Sequence, residues 1–127
     1  ASEIKSKPKI MMVTILTALN DEDLKTIGIN SAVNDQVEKM AKMAKEINVG
    51  VVCSGQEART VRKILGPDLL IFTPGIRMEI DNKDDQQRVC TPNESLENGS
   101  NKIIMGRSLI KGDITENLNR VLNSLKA

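Results

Sequence analysis

Residues 65–77 read LGPDLLIFTPGIR, and this stretch decides how the chain is built. Gly66-Pro67 is a helix stop, because glycine takes the left-handed turn that ends a helix and proline cannot continue one. DLLIFT (68–73) is a continuous apolar run with a β-branched residue near its end, the pattern of a strand buried on both faces. Pro74-Gly75 then ends the strand abruptly and leaves Arg77 close to its carboxyl end. The segment is therefore one helix-to-strand junction followed by a loop.

The same grammar recurs along the chain. Apolar runs lie at KIMMVTIL (9–16), NVGVVC (48–53) and KIIMG (102–106). Residues 34–47 place Val37, Met40, Ala41, Ala44 and Ile47 on one helical stripe, with Asn34 or Asp35 as the expected cap. Ser54 and Glu57 have capping-box spacing for a helix reaching Leu65, and Thr91-Pro92-Asn93-Glu94 repeats that spacing, with Gly99 as the stop. Asp113 is placed to cap a last helix whose Leu118, Val121, Leu122 and Leu125 share a face, and a short helical piece is expected near residues 21–27. Four β-α units in a row predict an α/β fold with a parallel sheet. An open doubly wound sheet and part of a (β/α)8 barrel both satisfy that order. A complete barrel needs about 200 residues or more, and the chain has 127.

Composition narrows the chemistry. Eighteen basic and seventeen acidic residues leave a formal charge of +1, so no global field recruits nucleic acid or an anionic membrane. The sequence has no histidine, which excludes imidazole catalysis and histidine-ligated metal. Cys53 and Cys90 match no metal spacing and fit a reduced interior, with Cys53 read as a small buried side chain. No run approaches the roughly 20 apolar residues of a membrane span. ASEIKSKPK at the start lacks the apolar centre of a signal peptide, and a cytoplasmic location is expected. Phe72 is the single aromatic residue, so a modest aliphatic core is expected.

In either architecture a ligand lies at the carboxyl ends of the strands. The residues there are Thr17, Ser54, the loop 74–87 and Gly106-Arg107. A glycine permits close backbone approach and an arginine forks onto phosphate oxygens, although the same pair also makes an ordinary strand-ending turn. The loop from Arg77 to Gln86 is long and charged, which suits either a folding lid or a solvated connector.

Taken together, VTILT (13–17), GVVCS (50–54), LGPDLLIFTPGIR (65–77), DQQRVCTP (85–92) and IMGR (104–107) resemble the carboxyl-terminal half of bacterial orotidine 5′-monophosphate decarboxylase. The most specific part is TPGIR followed by Q-x-R-V-x-T-P, with Gln86 nine positions after Arg77. The resemblance covers nearly the whole chain. It implies that residues 1–127 are a single unit, the carboxyl-terminal half of a (β/α)8 barrel. It also implies conversion of orotidine 5′-monophosphate to UMP and carbon dioxide with no cofactor and no metal, and a homodimer. By the same resemblance Thr17 stands near the pyrimidine and ribose, Arg77, Gln86, Gly106 and Arg107 hold the phosphate, and the acidic segment between Arg77 and Gln86 is the closing loop. Ala18 and a shorter turn before Gly50 depart from the family pattern.

The family's catalytic Asp-x-Lys-x-x-Asp signature belongs to earlier strands, and nothing in this sequence reproduces it in place. Asp84-Asp85 and Lys83 fall in the loop instead. The expectation is a phosphate-binding half that does not decarboxylate alone. Its sheet edges and apolar inner face are expected to be covered by a second copy or by an amino-terminal half.

Overall fold

The computed structural model describes residues 8–79, 81 and 84–126. The expectations that rest on the first seven residues and on Lys83 lie outside the described residues. In chain order the elements are β1 (Met11–Val13), α1 (Asp21–Thr26), α2 (Val33–Glu46), β2 (Gly50–Val52), α3 (Ala58–Leu65), β3 (Ile71–Thr73), α4 (Pro92–Glu97), β4 (Lys102–Ile103), α5 (Arg107–Ile110) and α6 (Ile114–Lys126). The four strands form one sheet in the order β1-β2-β3-β4, and every pairing is parallel. A doubly wound sheet reverses its order at a switch point. This one does not reverse, which is the progression of a barrel wall, and the chain is four β/α units of a (β/α)8 barrel.

Alternation along the strands separates two faces. Met12, Val51 and Ile71 lie in one row of the register. Val51 and Ile71 are fully buried in a core with Val37, Ala41 and Ala44 of α2, Ala58, Val61 and Leu65 of α3, and Leu24 of α1. Alanines on the inner stripe of α2 let α3 approach closely, so aliphatic side chains fill the layer without rings. Each fully buried Val, Leu or Ile contributes about 1.5–3 kcal/mol of transfer free energy. The hydroxyls of Thr73, Ser95 and Ser100, all buried, satisfy one another beneath β3 at 2.6 and 2.9 Å.

The opposite row is Val13, Val52, Phe72 and Lys102. It is less apolar than expected: the Lys102 ammonium stands 5.7 Å from the centre of the Phe72 ring, so the one aromatic residue faces a cation. Val13 on this row, and Ile10, Leu16 and Ile104 at the strand ends, are exposed. On α6 only Val121 of the expected stripe is buried, while Leu118, Leu122 and Leu125 are exposed.

Three helix starts differ in how they are capped. The Thr91 box forms as expected: Glu94 N–H donates to Thr91 Oγ1 at 3.3 Å and Thr91 N–H to Glu94 Oε2 at 2.9 Å. Helix α2 starts at Val33 with Ala32 as its cap, in place of Asn34 or Asp35. The Val33 N–H is satisfied from α1, by Asp21 Oδ1 at 2.8 Å. Helix α3 starts at Ala58, a turn later than the Ser54 box predicts. Glu57 Oε2 does accept the Ser54 N–H at 3.1 Å, but the Ser54 hydroxyl is buried without a partner. The other Glu57 oxygen faces Arg88, so one carboxylate serves both the Ser54 N–H and a cation.

Among the described residues no helix is long and apolar enough to cross a membrane.

Candidate functional site

Arg88 organises the carboxyl ends of the strands. Its guanidinium donates to the carbonyls of Ile15 (2.9 Å), Leu16 (3.2 Å) and Leu19, and so gathers the turn that follows β1. Its Nε lies 2.7 Å from Glu57 Oε1, with side chains only 12% and 5% exposed. The approach is close, yet its angle is not that of a hydrogen bond, because both atoms lack a hydrogen-bond partner. Attraction between opposite charges in a buried setting is what holds the two together. Cys53 sits in the core as expected, and burial pushes its thiol up to about 12.

The gathered turn presents Thr17. Its hydroxyl donates to Gln86 Oε1, and its carbonyl accepts the N–H groups of Gln87 (2.9 Å) and Arg88 (3.2 Å). The crossing is tight at Gly75, whose φ of +72° is left-handed. A Cβ there would lie 3.2 Å from the Arg88 carbonyl and 3.3 Å from Thr17 Cγ2. Glycine is needed at this position for both its dihedral and its lack of a side chain.

Arg77 follows directly. Its N–H donates to the Cys90 carbonyl at 3.0 Å, and Ile76 bridges Cys90 in parallel. The buried guanidinium donates from Nη1 to the Ile76 carbonyl at 2.9 Å, while Nη2 lies 3.8 Å from Asp84 Oδ2. Arg107, at the first position of α5, is half exposed and reaches the same oxygen with Nη1 at 3.7 Å. Its Nη2 donates to Asp85 Oδ1, and Gln86 Nε2 donates to that same atom at 3.3 Å. The hydrogen bond from Arg107, then that from Gln86, holds the Asp85 carboxyl below its ordinary range. Gly106 precedes this helix, and nothing lies within 4 Å of a Cβ built on it, so its backbone faces open space.

Thr17, Gln86, Arg77 and Arg107 are therefore joined in one network that runs through Asp85 and Asp84, with Gly106 beside it. Two guanidiniums and an amide converging on carboxylate oxygens form an anion-binding arrangement. Ser54 stands apart from it. The acidic segment expected to fold as a lid includes residues 80, 82 and 83, which lie outside the described residues. The sequence reading missed Arg88 and Glu57, and it treated Asp84 and Asp85 as loop charge rather than as partners of the arginines. Arg88 stands two positions from Gln86 in the quoted motif. No spacing announces its pairing with Glu57.

A family profile described as "Orotidine 5'-phosphate decarboxylase / HUMPS family" matches residues 1–118. A curated relative from Neisseria meningitidis, orotidine 5'-phosphate decarboxylase, is 43% identical over 124 residues, covering 93% of this chain and 50% of its own length. Another of that name from Coxiella burnetii is 48% identical over 107 residues, covering 84% and 45%. Among solved structures, orotidine 5'-phosphate decarboxylase from Lactobacillus acidophilus superposes with a TM-score of 0.76 at 30% identity, over 98% of this chain and 52% of that one. The enzyme of that name from Pyrococcus horikoshii OT3, at 19% identity and a TM-score of 0.66, shares the fold. The chain spans about half the length of the curated relatives it matches.

Proposed function

The chain belongs to the orotidine 5'-phosphate decarboxylase / HUMPS family, and on that premise we propose that its residues form the phosphate-gripping half of an orotidine 5′-monophosphate decarboxylase. The observation that carries this reading is the convergence of Arg77 and Arg107, from the ends of β3 and β4, on a single carboxylate oxygen at 3.8 and 3.7 Å. A phosphomonoester offers oxygens of the same charge at that place. Arg77 supplies a buried guanidinium, Arg107 a half-exposed one, Gln86 an amide donor, and Gly106 an open backbone. Thr17 stands toward the ribose and pyrimidine. Each charge-assisted bond to the phosphate contributes about 1.5–3 kcal/mol.

Loss of carbon dioxide leaves a carbanion that must be stabilised and protonated to give UMP. Phosphate binding lowers that barrier only through a reacting centre that it helps to hold in place. Among the described residues, the acids at this site are tied to arginines. In this reading the charge network and the proton donor come from the four β/α units that precede these in the relatives, on the same polypeptide or on a separate one. Residues 1–127 act as a single unit, with no metal or organic cofactor required. The location is cytoplasmic, and the exposed strand edges and α6 stripe are covered by that other half or by a second copy in a dimer. A non-catalytic nucleotide-phosphate-binding module is the second reading, since the groups that the site brings together are those assigned to the phosphate.

Calorimetry with UMP tests the site. Binding in the millimolar range or tighter, abolished in Arg107→Ala, is expected; no heat at millimolar UMP overturns the proposal. Mixing with a polypeptide that carries the first four units separates the two readings, since a loss of orotidine monophosphate absorbance marks the enzyme half.

A further inference from the structure

Arg77, Arg107 and Gln86, the side chains assigned to the phosphate, already hold acidic oxygens of the chain itself. Asp84 Oδ2 lies between Arg77 Nη2 and Arg107 Nη1 at 3.8 and 3.7 Å. Asp85 Oδ1 accepts from Arg107 Nη2 and from Gln86 Nε2. We propose that Asp84 and Asp85 are an internal counter-anion, so that a phosphomonoester binds by displacing these two carboxylates from the arginine pair. The inference rests on the reading that Arg77 and Arg107 hold phosphate.

Charge, placement and backbone all support exchange. Two ionised carboxylates carry two negative charges, close to the −1.5 to −2 of a phosphomonoester near neutral pH. An aspartyl carboxyl is ionised near neutral pH and therefore competes throughout that range. The Arg77 side chain is 7% exposed whereas those of Asp84 and Asp85 are 37% and 64% exposed. The cation is set into the protein and the acids lie on its solvent side, where a ligand arrives. Asp84 adopts a φ of +52°, a left-handed conformation that aspartate and asparagine tolerate better than most residues. Asparagine at this position therefore removes the charge and keeps the turn.

A site occupied by its own acids binds ligand more weakly by the fraction of molecules in which the arginines are available. If the acids hold the arginines in about nine molecules of ten, removing them tightens binding about tenfold. The test is calorimetry on the 127-residue chain with UMP, inorganic phosphate and uridine as probes. Wild type is compared with Asp84→Asn, Asp85→Asn, the double variant, and the double variant carrying Arg107→Ala. The expected result is about tenfold tighter UMP and phosphate binding in the double variant, part of that gain in each single variant, none for uridine, and loss of all binding with Arg107→Ala. Unchanged or weaker UMP binding in the asparagine variants, with wild-type binding still dependent on Arg107, overturns the exchange and leaves the phosphate reading standing. No binding by any variant overturns both.

Discussion

Replacing Arg88 by methionine tests whether one side chain holds the site together. The substitution keeps most of the buried stem and removes the guanidinium. Three carbonyls, those of Ile15, Leu16 and Leu19, lose their donor, and Glu57, 5% exposed, is left buried without its cation. Breaking a buried ion pair by removing one partner costs about 3–5 kcal/mol. The Arg88–Glu57 approach of 2.7 Å is close but poorly aligned, so the expected cost is the lower figure, about 3 kcal/mol. Urea unfolding followed by circular dichroism reads this as a lower midpoint at unchanged slope. Adding Glu57→Leu should recover much of the loss, because the stranded charge goes with it. The same variant should weaken UMP binding, since the Thr17 turn is no longer gathered against Gln86. A cost under about 1 kcal/mol for Arg88→Met, or no recovery in the double variant, would refute a buried electrostatic clamp.

Gly75→Ala places a Cβ 3.2 Å from the Arg88 carbonyl at a φ of +72°; a loss of about 1–2 kcal/mol in urea unfolding is expected, and a neutral result would mean the crossing is looser than described. Thr91→Ala removes the α4 cap, with a cost of about 1 kcal/mol by the same assay. Hydrogen bonds from the Thr91 backbone and then its hydroxyl hold the Glu94 carboxyl below its ordinary 4.5. A depressed acid stabilises the fold above that value and loses its contribution as pH falls through its folded value. The wild type should therefore lose more stability than Thr91→Ala as the pH is lowered from about 5 to about 3. Burial pushes the thiols of Cys53 and Cys90 up to about 12 and about 11. A maleimide at mildly alkaline pH should label the native chain slowly and the urea-unfolded chain quickly; equal rates would contradict the buried positions.

What the chain states about itself locally is carried by short-range chemistry. Gly66-Pro67 ends a helix wherever it stands, the run at 68–73 is too apolar to face water on either side, and Thr91 caps through Glu94 three residues on. Each of these follows from groups within a few positions of one another, although β3 takes up only Ile71–Thr73 of its run. Amphipathicity of α6 was equally legible, but whether Leu118 and Leu122 are covered depends on what stands opposite them. The strand order is of the same kind: β-α repeats fit two architectures, and only the unreversed parallel pairing distinguishes a barrel wall from a doubly wound sheet.

The site belongs to the tertiary structure for a physical reason. Ion pairs form between groups that the path of the chain brings within a few ångströms, whatever their separation in sequence. Glu57 reads locally as a capping residue and does accept the Ser54 N–H, but its second oxygen faces Arg88, a partner that no local spacing announces. Asp21 reads as the start of α1 and also caps α2. Asp84 and Asp85 read as loop charge, yet Asp84 lies between Arg77 and Arg107, and Asp85 pairs with Arg107. The sequence by itself determined the β-α order, the Gly66 stop and the Thr91 cap, and folding decided where α2 and α3 begin, how much of each apolar run pairs as strand and which acids the arginines hold.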